Sequence, residues 1–234
     1  METGIETFLH QVSDELENDI LKYWLSLQDP DGGFYGEADA YGRIIQDAPR
    51  GEILNARIIW SFAAAYGLLG RKEYLDTAIH ASLWFRKYLI DNENGGVYWS
   101  ALPDGTPLDT KKQLYSQGFA IYAFSELYKV RGDTADLEVA KSIFRTVESY
   151  FRDRKNGGYV EALSRDFSPL EDMSLSAHDI NADKTMNSHL HLLEAYANLY
   201  GVWKDDILKD ALESLISLMV DRITGPDGHL RLYF

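Results

Sequence analysis

The sequence predicts an all-α chain of paired helices laid side by side in two layers, an α/α toroid or solenoid. Three observations predict it. A Gly-Gly-aromatic signature recurs at near-constant spacing, helical periodicity fills the intervals, and amphipathic helices alternate with helices that are apolar nearly all round.

The signature reads Asp31-Gly32-Gly33-Phe34-Tyr35, then Asn94-Gly95-Gly96-Val97-Tyr98-Trp99, then Asn156-Gly157-Gly158-Tyr159. Gly33 to Gly96 is 63 residues and Gly96 to Gly158 is 62. A degenerate fourth copy, Thr224-Gly225-Pro226-Asp227-Gly228, leads into Leu230-Arg231-Leu232-Tyr233. Upstream of the second and third copies lie amphipathic stripes: Leu75, Ala78, Ile79, Ser82, Phe85 and Leu89, then Leu137, Ala140, Ile143, Phe144, Val147 and Phe151. Residues 205–223 repeat the pattern. These are outer helices. Ile53 to Leu69 and Gln113 to Tyr128 are apolar on every side, which predicts inner helices buried on every side. The Gly-Gly loops predict short hairpins, with Val97–Ala101 followed by a turn at Pro103-Asp104-Gly105. Inner helices this apolar favour a closed (α/α)6 ring over an open solenoid. Six hairpins at this period need roughly 370–390 residues. The 234 residues hold about three and a half, so residues 1–234 are expected to form one domain that is part of such a ring.

Composition narrows the function. The formal net charge of −14 argues against nucleic acid and anionic membranes as partners. With no cysteine there is no thiolate nucleophile, disulfide or cysteine metal site. Met1-Glu2-Thr3 opens no secretion signal and no apolar run reaches membrane-spanning length, so a cytoplasmic protein is expected. The 15 tyrosines exceed what a structural core favours and fit a surface meeting a polar, ring-shaped ligand. Trp99, Tyr98, Tyr115, Trp60 and Tyr35 are candidate stacking faces; packing is the competing explanation for each.

Polar residues gather at the start of each inner helix: Asn55 and Arg57; Tyr115, Ser116 and Gln117; Asn187, His189 and His191. Matching ends of parallel inner helices converge on one mouth. A guanidinium among Leu54, Ile58 and Ile59 must meet a ligand or a core carboxylate such as Glu52 or Glu194. Facing a ligand, it would stabilise a developing oxyanion. Asn187, His191 and Glu194 lie at i, i+4 and i+7, on one helix face. That arrangement can set the imidazole's tautomer for proton transfer. His189 points elsewhere, so no His-x-His metal site is expected, and no metal. The third unit is ten residues longer than the others, and the extra length at 162–184 is a candidate lid.

At these residues the sequence resembles the N-acylglucosamine 2-epimerase superfamily, and within it the cellobiose 2-epimerases. The resemblance rests on G-E-I-L-N-A-R-I-I-W (51–60), G-G-V-Y-W (95–99), P-L-D-T-K-K-Q-L-Y-S-Q-G-F-A-I-Y-A (107–123) and T-M-N-S-H-L-H-L-L-E-A-Y (185–196). It implies an (α/α)6 barrel that interconverts sugars at C2 without a cofactor, through proton abstraction and an enediolate. It implies Arg57 and His191 as catalytic groups and Tyr115 and Asn187 as substrate contacts. Glu194, Trp99 and Gln117 complete the expected sugar-binding set. The family's main acid–base histidine pair is expected beyond Phe234, which would leave this stretch with the substrate-positioning part and no activity by itself. Three other functions fit the same layout. One is aldose–ketose isomerisation or N-acylglucosamine epimerisation. Another is glycoside hydrolysis, for which Glu52, Asp109, Glu126 and Glu194 mark no clear carboxylate pair. The last is a sugar-binding half-ring without chemistry. Oligomeric state is left open.

Overall fold

The computed structural model describes residues 4–176 and 178–234. Met1–Thr3, on which the expectation about a secretion signal rests, and Ala177, within the candidate lid, lie outside the described residues. Helices dominate, as the periodicity predicts. The first outer helix runs as α1 (Gly4–Asp14), a π-helical stretch (Glu15–Leu21) and α2 (Lys22–Leu25). The inner helix α3 (Glu52–Leu69) and outer helix α4 (Lys72–Tyr88) follow. Next come inner α5 (Leu114–Arg131) and outer α6 (Thr134–Thr146), which ends in a π turn (Val147–Phe151). Inner α7 (Met186–Val202) and outer α8 (Asp206–Leu218), with its own π turn (Met219–Ile223), complete the described chain. Three outer–inner pairs and a fourth outer helix are thus present. Among the described residues no helix is long and apolar enough to cross a membrane.

The inner helices α3, α5 and α7 stand side by side, and α4 and α6 pack behind them. Fully buried Ala56, Ala63, Ala120, Ala123 and Ala195 let the layers approach closely. Aromatic pairs lock the layers: Phe85 meets Phe124 edge-on at 5.3 Å, and Phe144 meets Tyr196 at 5.1 Å. Burying each such side chain contributes about 1.5–3 kcal/mol. α3 and α5 both end at a left-handed glycine. The Gly70 and Gly132 amides donate to the Tyr66 and Tyr128 carbonyls.

Short strands link the units. β1 (Arg50–Gly51), just before α3, pairs antiparallel with β2 (Ser100–Ala101), which pairs with β3 (Pro107–Asp109) in the expected hairpin. β4 (Lys112–Gln113), just before α5, pairs with β5 (Ala162–Leu163). Thr185, just before α7, bridges to Tyr233. Each strand entering an inner helix is therefore paired with the strand that follows the next glycine loop.

A cation in each of these entering segments is buried in the preceding glycine loop. Arg50 pairs with Asp29 and donates to Gly32 O at 2.6 Å. Lys112 Nζ lies 2.9 Å from both Asp91 Oδ2 and Gly95 O. Lys184 Nζ lies 2.7 Å from Asp153 Oδ2 and 2.6 Å from Gly157 O. Each aspartate's other oxygen accepts loop amides, from Asp31, from Glu93 and Asn94, and from Lys155 and Asn156. Burial by itself would raise the Asp91 carboxyl, but Arg165 and Lys112 hold it well below the usual carboxylate range.

A second tie, from the fourth residue of the inner helix to the glycine loop, is made by α5 and α7 but not by α3. Gln117 accepts from Val97 N at 2.8 Å and donates to Val97 O at 3.0 Å. His189 Nε2 accepts from Tyr159 N at 2.9 Å while Nδ1 faces Thr185 O at 2.7 Å. Asn55, one methylene shorter than Gln117, donates to Gly51 O, and its buried Oδ1 has no hydrogen-bond partner among the described residues. The second glycine of the loop makes room for this tie. A Cβ at Gly96 would stand 2.7 Å from Gln117 Oε1, and one at Gly158 would stand 2.9 Å from His189 Nε2.

The His189 tie implies an acid limit. Burial lowers its pKa to about 4 against the opposing pull of Thr185 O, and protonation would also turn Nε2 from an acceptor into a donor facing the Tyr159 N–H. A folded-state pKa below the unfolded value means stability is fully present above about pH 6.5 and is lost as pH falls through about 4. His189→Gln, the residue type used in the second unit, should fold and should lose that part of the decline. Urea unfolding from pH 7 to pH 4 checks this.

Candidate active-site cleft

Arg57, Tyr115 and His191 converge, as the sequence pattern predicts, from three neighbouring inner helices. Arg57 Nη2 donates to Tyr115 Oη at 3.0 Å, and its guanidinium carbon sits 4.5 Å above the Phe119 ring. The His191 ring is 5.0 Å from Tyr115, edge-on, and 4.9 Å from Phe119. His191 Nδ1 lies 2.7 Å from Glu194 Oε2. With that contact made, Nδ1 carries the proton and the Nε2 lone pair is left to accept one. Phe119 was not anticipated as part of the cleft. Its spacing of four residues from Tyr115 on α5 was the available signal.

Neither core carboxylate considered for Arg57 binds it. Glu194 turns to His191, with Oε2 2.7 Å from Nδ1, and does not pair with Arg57. Glu52, the first residue of α3, is fully buried and neither of its oxygens has a hydrogen-bond partner among the described residues. Burial raises its pKa well above the usual carboxylate range, against the opposing pull of Arg57. Arg57 therefore faces the cleft without an ion-pair partner among the described residues. An apolar cavity of about 830 Å³ opens beside it, walled by Leu16, Trp24, Ile53, Trp60 and Leu68, and Arg57 is its one charged lining residue among those described.

The remaining expected residues are placed differently. Gln117 is fully buried and spends its amide on Val97, so it holds the loop and does not reach a ligand. Trp99 is partly exposed; its N–H donates to Asp109 O and its carbonyl accepts from Glu52 N, both at 3.0 Å, which ties β3 to the start of α3. Tyr98 packs against Lys112 Nζ at 4.6 Å, and Tyr35 lies beside Arg50, so both serve the loop clamps. Trp60 stacks on Tyr122 at 5.1 Å. Asn187 is exposed on the first turn of α7. It lines a separate recess of about 120 Å³ with Glu161, Ser174, Thr185 and Tyr233.

Glu161 was not anticipated. It is buried beneath the 162–184 segment, accepts from Thr185 N at 2.7 Å and from Ser188 Oγ at 2.5 Å, and has its pKa raised by burial to about 7. It caps the helix that carries Asn187 and His191. The candidate lid is fastened to the mouth: Lys111 Nζ and Gln113 Nε2 both donate to Ser174 O at 3.0 Å, and Arg165 reaches Asp91 and Glu93. Among the described residues no cluster of three or more acidic or histidine side chains could hold a metal ion.

Residues 33–234 match the N-acylglucosamine 2-epimerase (GlcNAc 2-epimerase) family. The chain belongs to that family. It is 45% identical over 232 residues to a cellobiose 2-epimerase of Bacteroides fragilis, covering 98% of this chain and 59% of that protein. The solved structure of a cellobiose 2-epimerase from Bacillus thermoamylovorans superimposes with a TM-score of 0.94 at 35% identity, covering 98% of this chain and 60% of that one. A D-mannose isomerase of Marinomonas mediterranea is 25% identical over 195 residues. The chain thus spans about three-fifths of the length of the epimerases it matches. Membership fixes the architecture as the α/α toroid type.

The His191–Glu194 contact makes a spectroscopic prediction. In ¹⁵N-histidine spectra near neutral pH, His191 should show the Nδ1–H tautomer. Glu194→Ala should shift it toward Nε2–H, with the chemical shifts of His189 unmoved.

Proposed function

We propose that this chain forms the sugar-holding part of a carbohydrate 2-epimerase acting at the reducing end of a β-1,4-linked disaccharide such as cellobiose. The reading is supported by the family, by the names of its relatives, and above all by one feature of the cleft: a guanidinium without an ion-pair partner, hydrogen-bonded to a tyrosine beside an oriented imidazole.

The chemistry follows from those groups. The ring-opened sugar presents an aldehyde at C1 and a proton at C2. A base takes the C2 proton, and the electron pair left behind forms the C1–C2 double bond while negative charge moves onto O1. Arg57 would meet that charge, with Tyr115 beside it. His191, with Nδ1 held by Glu194, has a free Nε2 lone pair to exchange protons with the substrate. Returning a proton to the opposite face of C2 gives the epimer. Nothing is oxidised or reduced overall, so no redox cofactor enters the proposal. Delivery to C1 instead would give the ketose. Inversion needs a second proton donor on the opposite face, which the longer relatives have room to supply outside the matched three-fifths.

The test is incubation of the purified protein with cellobiose in D2O, followed by NMR. Deuterium should enter at C2, with exchange about 10²–10³ slower in Arg57→Gln, while accumulation of glucosyl-mannose should require the opposite-face donor as well. Release of glucose would identify a hydrolase, and a ketose as the main product would identify an isomerase.

A further inference from the structure

The cleft leaves one strong cation uncompensated, and this bears on which ligands it takes. A guanidinium has five N–H donors in a fixed fork. In Arg57 one hydrogen bond is formed, to Tyr115 Oη. The two carboxylates that could have neutralised it do not. Glu194 is held by His191 at 2.7 Å, and Glu52 is fully buried with neither oxygen hydrogen-bonded to a described residue. Phe119 backs the guanidinium at 4.5 Å, and the cavity beside it holds no other charged lining residue among those described. Arg57 is exposed to solvent at this mouth, so a dissolved anion can reach its charge directly.

The shape of the fork specifies the anion. Two parallel N–H groups match the two oxygens of a planar carboxylate. An enediolate carries its charge at C1–C2 only fleetingly, whereas a sugar acid with a carboxylate at C1 carries charge of similar shape permanently. We propose that this cleft binds aldonic acids, with the C1 carboxylate on Arg57 and Tyr115, and that they compete with the reducing-end sugar. The polyol part of the ligand rests on the epimerase reading; the carboxylate part rests on Arg57. The consequence is competition: an aldonate with the substrate's carbon skeleton would occupy the place of the reducing-end sugar and inhibit its epimerisation.

Calorimetric titration of the purified protein with cellobionate and with cellobiitol tests this. The two share a carbon chain and differ at C1, carboxylate against alcohol. Cellobionate should bind at least about tenfold more tightly, and the advantage should shrink as salt is raised. In Arg57→Gln the advantage should vanish while cellobiitol still binds, which also reports an intact fold. Equal affinities, or an advantage that survives Arg57→Gln, would overturn the proposal. The D2O experiment is a separate readout. Exchange at C2 with equal affinities sinks the aldonate site alone, and a cellobionate advantage without exchange sinks the epimerase reading alone.

Discussion

A buried positive charge pinned into each glycine loop is the constraint on which the rest of this structure depends. Arg50, Lys112 and Lys184 each join an aspartate and a glycine carbonyl of the loop before them, and each stands two residues ahead of an inner helix. The clamp fixes where α3, α5 and α7 begin. Because Arg57, Tyr115 and His191 all lie within the first two turns of those helices, it also fixes where they meet. The loops turn inward because their glycines adopt positive φ, 90° at Gly95 and 68° at Gly96. A side chain there would strain the backbone and, at Gly96, collide with the Gln117 tie.

The cleft is built by dividing work among acidic groups that might otherwise cancel one another's effect. Glu148 accepts from Tyr159, Tyr196 and Arg152 behind α7. Glu161 caps the start of α7, Glu194 orients His191, and Glu52 is sequestered in the core. Arg57 is left to the ligand. In a chain of net charge −14, Arg57 faces the cleft with no ion-pair partner among the described residues, and the proposed chemistry rests on that.

Much of this was legible in the sequence. The spacing of Gly33, Gly96 and Gly158 dictated the paired helices, and the apolar character of α3 and α5 identified the inner layer. Arg57, Tyr115 and His191 stood out because polar groups in such helices need partners. The clamps were harder to see, since a lone Lys or Arg in a loop looks solvated. Their signal was positional: Arg50 and Lys112 stand one glycine-loop period apart, and Lys184 follows after the ten-residue extension of the third unit, each two residues ahead of an inner helix. Gln117 and Glu194 were read as ligand contacts because sequence spacing gives a helix face but not which acceptor a side chain reaches. Gln117 turns back to Val97, and Glu194 turns to His191. Glu161 carried no periodic signal, because its importance comes from burial under a segment peculiar to the third unit.

The clamp account is tested most directly at Lys112, whose side chain and that of Asp91 are both fully buried. Lys112→Met should leave that carboxylate short of its principal buried partner. Chemical unfolding should then show a loss of about 3 kcal/mol or more, with faster hydrogen exchange at the Gly95 and Val97 amides. A stability within about 0.5 kcal/mol of the parent, with those amides unchanged, would contradict the claim that the clamps set the cleft.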